Sequence, residues 1–230
     1  MVTSEVAVIL PALNEEGSVG AVVNGFRSRG VRVVVIDNGS TDRTSEFALL
    51  AGAEVVHEEK RGYGNACLAG IAYVNIRPPE IAVFADCDGT LDPRELQDLV
   101  SPIESNQADL VLGRRVRVEK GALPLHQRFG NAVARVMLWS LYGLRVGDIP
   151  PYRAVRWTFL TELGLSEKTY GLPIETVAIA ARRNGRVAEV NVGYRRRSEG
   201  KSKVTGSLRT SLQAGWAMLS LLIVLRFRRL

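Results

Sequence analysis

The stretch Val83-Phe84-Ala85-Asp86-Cys87-Asp88-Gly89-Thr90 sets two carboxylates two residues apart at the end of an apolar run. Such a run reads as a buried strand, and the polar turn after it can bring either carboxylate to a cation. Such a pair could hold a cation, for which oxygen-only ligation suits Mg2+ or Mn2+, or could act as a nucleophile with its acid/base partner, so Asp86 and Asp88 are candidates for either chemistry. Three more polar clusters follow apolar runs in the same manner: Asn14-Glu15 after residues 5–10, Asp37 to Asp42 after 31–36, and Arg114-Arg115 after 108–113.

The elements that must position these groups are legible from periodicity. Short β-branched or apolar strands are expected at 5–10, 31–36, 53–57, 80–85 and 108–113. Helices are expected over 18–29, from the 37–42 turn to about 51, over 62–75, and from Pro93 onward, where proline suits a first helical turn. This alternation predicts an α/β fold with a mostly parallel central sheet flanked by helices on both faces. Ligands in such sheets bind outside the carboxyl ends of the strands. Each polar cluster alone would pass for a solvated turn, but four of them at one sheet edge make a site.

After residue 115 the regularity changes. A helix is expected at 123–143, a two-proline loop at 144–153, helices near 154–163 and 172–184, and a strand at 187–194. The segment 204–229 reads as an amphipathic helix. Its uncharged stretch between Arg209 and Arg226 is 16 residues, about 24 Å at ~1.5 Å per residue. A bilayer span needs about 20 apolar residues, so no crossing is expected. The helix is expected either to lie in a membrane interface, anchored by Trp216, Arg226, Arg228 and Arg229, or to pack on the domain or in a homodimer contact.

A chain of 230 residues, with a net charge of +6, suits one large domain or a smaller domain plus an appendage. The basic residues gather late: Arg182, Arg183, Arg186, Arg195, Arg196, Arg197, Lys201, Lys203 and Arg209 face only Glu189 and Glu199 between 182 and 209. Phosphorylated substrates, anionic lipid or nucleic acid would all suit such a balance. A nucleic-acid module needs aromatic stacking platforms, and Tyr194 is the only aromatic between 171 and 209; nucleic acid is therefore not expected. Cys67 and Cys87 form neither a metal pair nor a disulfide framework, which fits a reduced cytoplasmic compartment. Glu5 breaks the first apolar run, so no leader peptide is expected.

Two families carry a stretch like the first one. Asp86-Cys87-Asp88-Gly89-Thr90 resembles the nucleophile motif of haloacid dehalogenase-type phosphatases, which would make Asp86 the nucleophile and Asp88 the acid/base. That motif usually ends the first strand, and here it ends the fourth. Tyr152 stands where the second acidic residue would be expected after Asp148, and the reading leaves Asn14, Glu15 and Asp37 unused. The alternative uses all of them. "ILPALNEEGSV", "VVVIDNGSTDRT", "RGYGNACLAGI", "FADCDGTLDP" and "LVLGRR" follow in the order seen in family 2 glycosyltransferases of GT-A fold. Later segments, "RFGN", "GDIPPYRA", "GLPIETVAIAA" and "YRRRSEGKSKV", resemble the branch of dolichyl-phosphate mannose synthases and bacterial polyprenyl-phosphate glycosyltransferases. The resemblance covers about residues 5–206.

The resemblance implies a GT-A domain over 1–203, with a nucleotide-sugar half (1–115) and an acceptor half (116–203), followed by the helix at 204–230. It implies an inverting, metal-dependent transfer of a hexose from a nucleotide-diphosphate sugar to a polyprenyl phosphate, at the cytoplasmic membrane face. A soluble acceptor, the phosphatase, and a non-enzymatic nucleic-acid or anionic-membrane binding module are the alternatives. Pro11, Ala12, Asn14 and Glu15 would shape the nucleoside pocket, Asp37 would accept from the base, and Gly39 would allow close backbone approach, as would Gly62 and Gly64. Asp88 would hold the metal directly, and Asp86 the ribose or metal. Asp148, Arg115 and Glu175 are the catalytic candidates, with Asp148 as base for a hydroxyl acceptor. A lipid phosphate is already an anion and needs positioning cations instead, here Arg115, Arg128, Arg153, Arg197 and Lys203. Pro151-Tyr152-Arg153 stands where many lipid-phosphate members have Gly-Phe-Arg, and "DCDGT" replaces the Asp-Ala-Asp-Leu-Gln of close mannose synthases, so neither the acceptor loop nor the sugar carries over.

Overall fold

The computed structural model describes residues 5–122, 124–197 and 219–228. The first half alternates strictly: β1 (Val6–Ala12), α1 (Val19–Arg27), β2 (Arg32–Asp37), α2 (Thr44–Leu50), β3 (Glu54–His57), α3 (Tyr63–Val74), β4 (Ile81–Phe84). A 3-10 turn at Pro93–Glu95, opened by proline as expected, leads into α4 (Leu96–Glu104) and β5 (Leu110–Val118). The second half holds α5 (Leu125–Tyr142), β6 (Arg153–Arg156), α6 (Trp157–Glu162), α7 (Leu172–Arg182) and β7 (Val187–Tyr194).

Among the described residues these strands form one seven-stranded sheet in the order β3-β2-β1-β4-β6-β5-β7. β1, β2, β3 and β4 pair in parallel, as do β5 and β7; only β6 runs against its neighbours β4 and β5. A sheet covered on both faces needs strands that are apolar on both sides. β1 shows this directly: Val6, Val8 and Leu10 enter the core under α1, α2 and α4, while Ala7 and Ile9 enter the core under α3 and α7. A fully buried Val, Leu or Ile in such a strand contributes roughly 1.5–3 kcal/mol.

The helix expected near 154–163 is in fact β6 followed by the short α6. Arg153-Ala154-Val155-Arg156 is too short to show a period, and the slot between β4 and β5 offers it ladder partners on both edges. β5 also outruns its expected end at 113, because β7 pairs with it to Val118 through an irregularity between Arg115 and Arg117. Of the helix expected at 204–229, residues 204–218 lie outside the described residues; 219–227 are helical. That helix is tied down by Tyr142 Oη, which donates to the Leu222 carbonyl at 2.5 Å, and by Arg182 Nη1, which donates to the Leu225 carbonyl. No helix among the described residues is long and apolar enough to cross a membrane.

Gly62 and Gly64 make close approaches, but to the chain's own backbone. A Cβ on Gly64 would lie 2.2 Å from the Glu167 carbonyl oxygen, and one on Gly62 2.4 Å from that of Lys168. The Asn65 amide donates to the Lys168 carbonyl at 3.0 Å, so the first turn of α3 is pressed onto the 164–171 loop. Gly64→Ala should cost about 1–3 kcal/mol of unfolding free energy by forcing these backbones apart. Gly20→Ala, with nothing within 4 Å of its Cβ, should cost nothing measurable; urea unfolding of the pair checks this.

Candidate active site

The carboxyl ends of β1, β2 and β4 lie side by side, because Ala12 is in register with Asp37 and Ile9 with Phe84. Pro11 and Ala12 close β1 at this edge. Asn14 follows in a left-handed conformation (φ 51°), and Asn is among the residues that tolerate it. Its backbone amide donates to Ser40 Oγ at 2.9 Å, and its Oδ1 accepts from the Thr41 amide at 2.8 Å. The Glu15 amide donates to Thr44 Oγ1 at 2.8 Å. Asp37 accepts from the Ser40 amide at 2.8 Å and from the Ser45 hydroxyl. Burial alone would raise the Asp37 pKa, but these bonds outweigh it and hold the carboxyl below its ordinary range. Gly39, at φ 80°, completes the turn between them. The two loops are thus laced together at one strand edge.

Asp86 and Asp88 leave the end of β4. Ser18 Oγ donates to the intervening Cys87 carbonyl at 2.8 Å, which pins the turn to the start of α1. Asp88 is 4% exposed; its Oδ1 accepts from the Thr90 amide at 3.0 Å and hydroxyl at 2.6 Å. Its Oδ2 meets Arg197 Nη2 at 2.8 Å, and Arg197 Nη1 meets Glu15 Oε1 at 2.7 Å. One guanidinium therefore bridges two carboxylates from opposite ends of the nucleotide half. Burial pushes the Asp86 carboxyl up to about 7, and the charge of Asp88 adds to this, against the opposing pull of Arg197, Arg115 and Arg153. Among the described residues no group of three or more His, Cys, Asp or Glu gathers as a metal cage. Two carboxylates at a strand end, in a spot that already holds a cation between acids, fit a hard divalent ion whose other ligands come from phosphate and water.

Asp148 and Arg115 form the second cluster. Arg115 Nε and Nη2 grip the two oxygens of Asp148 at 2.6 and 2.7 Å, in a bidentate pair whose side chains are 10% and 6% exposed. The Arg115 amide, Asn131 Nδ2 and the Ile149 amide add three more donors at 3.1, 2.8 and 2.8 Å. Glu189 holds the same turn by accepting from the Gly147 amide at 2.8 Å and the Asp148 amide at 3.1 Å. Arg115 also lies 5.2 Å over the Tyr194 ring. Asp148 is held below its ordinary pKa: burial opposes this, and the bond and charge of Arg115 outweigh burial. A carboxylate with five donors and a lowered pKa does not suit a general base; its geometry is that of an anchor for Arg115.

Two further expectations change. Arg153 is 0% exposed, so it clamps no acceptor phosphate. It lies 4.3 Å over the Phe84 ring and donates Nη1 to the Pro151 carbonyl, while its Nε and Nη2 make no hydrogen bond among the described residues and its charge acts on Asp86. Glu175, 1% exposed at the start of α7, accepts from the Ser166 and Glu167 amides at 3.0 and 2.8 Å. It stitches the 164–171 loop to α7 and is not among the strand-end carboxylates. Arg128 is exposed on α5, one turn before Asn131. Lys203 lies outside the described residues. Sequence reasoning passed over Glu189 and Thr90; an acid inside the alternating strand VAEVNVGY was the available signal for Glu189.

The family model described as "Glycosyl transferase family 2" matches residues 7–184. The chain belongs to glycosyltransferase family 2. The transferase is 41% identical over 214 residues to an uncharacterised glycosyltransferase of Mycobacterium tuberculosis, covering 93% of this chain and 96% of the relative. It is 32% identical over 204 residues to a dolichyl-phosphate hexose transferase of Haloferax volcanii, covering 87% and 86%. Its fold matches the crystal structure of glucosyl-3-phosphoglycerate synthase from M. tuberculosis in complex with Mn2+, UDP and phosphoglyceric acid, with a TM-score of 0.77 at 22% identity, over 99% of this chain and 80% of that one. The transferase thus has the GT-A fold, with its clusters at the strand ends.

Proposed function

We propose that the transferase moves a hexose from a nucleotide-diphosphate sugar, with inversion, to a polyprenyl phosphate at the cytoplasmic face of a membrane. The observation that carries the acceptor class is the state of the acceptor-side acids. Asp148 and Glu175 are both committed to donors, and Arg115 is neutralised by Asp148, while Arg128 supplies exposed positive charge on that side. A phosphate acceptor needs cations and no base. The dolichyl-phosphate hexose transferase relative supports the lipid form of that acceptor.

Asp86 and Asp88 would hold Mg2+ or Mn2+. Bound there, the metal supplies positive charge to the pyrophosphate as it leaves. Arg197 now pairs with Asp88 and Glu15; with a metal held by Asp88 it would be free to pair with a donor phosphate. Asp37 and the laced 12–18 and 37–45 loops hold the nucleoside. The acceptor phosphate oxygen forms its bond to the anomeric carbon from the face opposite the nucleotide; the bond to the nucleotide phosphate breaks, and its electron pair leaves with the diphosphate.

Thermal stability against UDP, GDP, dTDP and CDP, each with Mn2+ and then EDTA, tests the donor half. One nucleotide should raise stability by about 2.7 kcal/mol at 100 Kd, and EDTA should remove the gain. No shift with any of the four would overturn the donor-site assignment. Transfer from that nucleotide's sugars to a short polyprenyl phosphate, run beside soluble phosphorylated acids, separates the lipid acceptor from a soluble one.

A further inference from the structure

We propose that the outer face of α5, together with the 219–227 helix, docks the transferase on an anionic lipid surface. The solvent side of an amphipathic helix is normally polar. On α5 it is not: Phe129, Val136 and Trp139 are 72%, 60% and 50% exposed, at spacings that place them on one stripe, while Ala134 and Leu138 face the core. The helix is apolar on both sides. The 219–227 helix repeats the pattern, with Ile223, Val224 and Phe227 exposed at 51%, 61% and 81% and Leu222 and Leu225 buried. The two helices are neighbours, joined through the Tyr142 hydroxyl and the Leu222 carbonyl. A shallow hollow where α5, α7 and the 219–227 helix meet is lined by Leu141, Tyr142, Arg182 and Arg226.

Charge identifies the occupant. Residues 120–147 contain no Asp or Glu and carry Lys120, Arg128, Arg135 and Arg145; residues 200–230 contain none either. Arg145 lies 5.2 Å over the Trp139 ring, pairing a cation with an interfacial aromatic. Exposed aromatic and aliphatic groups flanked by arginines, with no acid on either helix itself, match the boundary between acyl chains and anionic headgroups. A second copy of the chain is a poor occupant. In a two-fold dimer the same face meets itself, which would set arginine against arginine. Arg128 is exposed on α5 one turn before Asn131, whose Nδ2 donates to Asp148 at 2.8 Å, so one cation of this helix lies on the flank nearest the site. A phosphate projecting from the lipid surface would reach Arg128 without leaving the membrane. The inference rests on the lipid-phosphate reading for its purpose, while its test needs no donor or turnover.

Co-sedimentation of the full chain with vesicles of phosphatidylglycerol and phosphatidylcholine, beside vesicles of phosphatidylcholine alone, tests it. Binding to the anionic vesicles should fall at least tenfold in F129S/W139S, and separately in F227S, and should weaken with salt. L49S/L50S, which removes exposed leucines on α2, should bind as the natural chain does. Melting curves confirm that each variant is folded, and F227S keeps the test valid should F129S/W139S not fold. Failure of the natural chain to bind anionic vesicles, or undiminished binding by the folded variants, would overturn the proposal. So would concentration-dependent dimerisation that the same substitutions abolish. Transfer to polyprenyl phosphate in detergent would then still stand or fall by itself.

Discussion

Asp88→Asn is expected to lower turnover on the order of 10³-fold and to abolish the metal-dependent shift with nucleotide. The substitution preserves shape. The amide oxygen can still accept from the Thr90 amide and hydroxyl, which now hold Oδ1. The other position becomes an NH2 facing the Arg197 guanidinium, now 2.8 Å from Oδ2, so the bridge to Glu15 loses one arm. Fold is retained and the metal-holding charge is lost. Calorimetric titration with Mn2+ and UDP, beside a melting curve, separates the two. If the Asp88→Asn variant still gave a metal-dependent nucleotide shift, the direct ligand would be Asp86 alone.

Asp148→Ala is expected to cost about 3–5 kcal/mol of unfolding free energy, the scale set by leaving one partner of a buried ion pair unpaired. Arg115 would keep its charge in a site where its side chain is only 10% exposed. Asn131 Nδ2 and the Ile149 amide would lose their shared acceptor as well. Removing both charges in Arg115→Met/Asp148→Ala should cost less than Asp148→Ala alone, because no uncompensated charge remains. The pH dependence has a defined sign. The folded Asp148 carboxyl lies below its ordinary 3.8, so its stabilisation is complete above about pH 4 and fades as pH falls below that value. Asp148→Ala should flatten that part of the acid limb. Urea unfolding across pH 3–7 measures both effects, and a loss under about 1 kcal/mol would mean that Arg115 is anchored by other groups.

Periodicity and turn chemistry are local, and what depends on them was readable. The parallel half-sheet from Val6 to Phe84 follows from short apolar runs separated by helical stretches. Asp86 and Asp88 could be placed at a strand end because a four-residue buried run stops directly before them. The ordered motifs likewise named the family that the family model bears out. By contrast, Arg153-Ala154-Val155-Arg156 has the same local character whether helical or extended, and only the slot between β4 and β5 decides it.

Burial and pairing of charges are not local. Fold class, the strand-end carboxylates and the family are legible without coordinates, because each is written in windows of about ten to twenty residues. Tertiary structure alone decided that Arg153 is sealed under Phe84, that Asp148 is saturated, that Arg197 joins Glu15 to Asp88, and that α5 turns an apolar stripe to solvent. A side chain's exposure and partners depend on which distant segments the sheet order brings against it: Glu15 and Arg197 stand 182 residues apart in the chain and 2.7 Å apart in the fold.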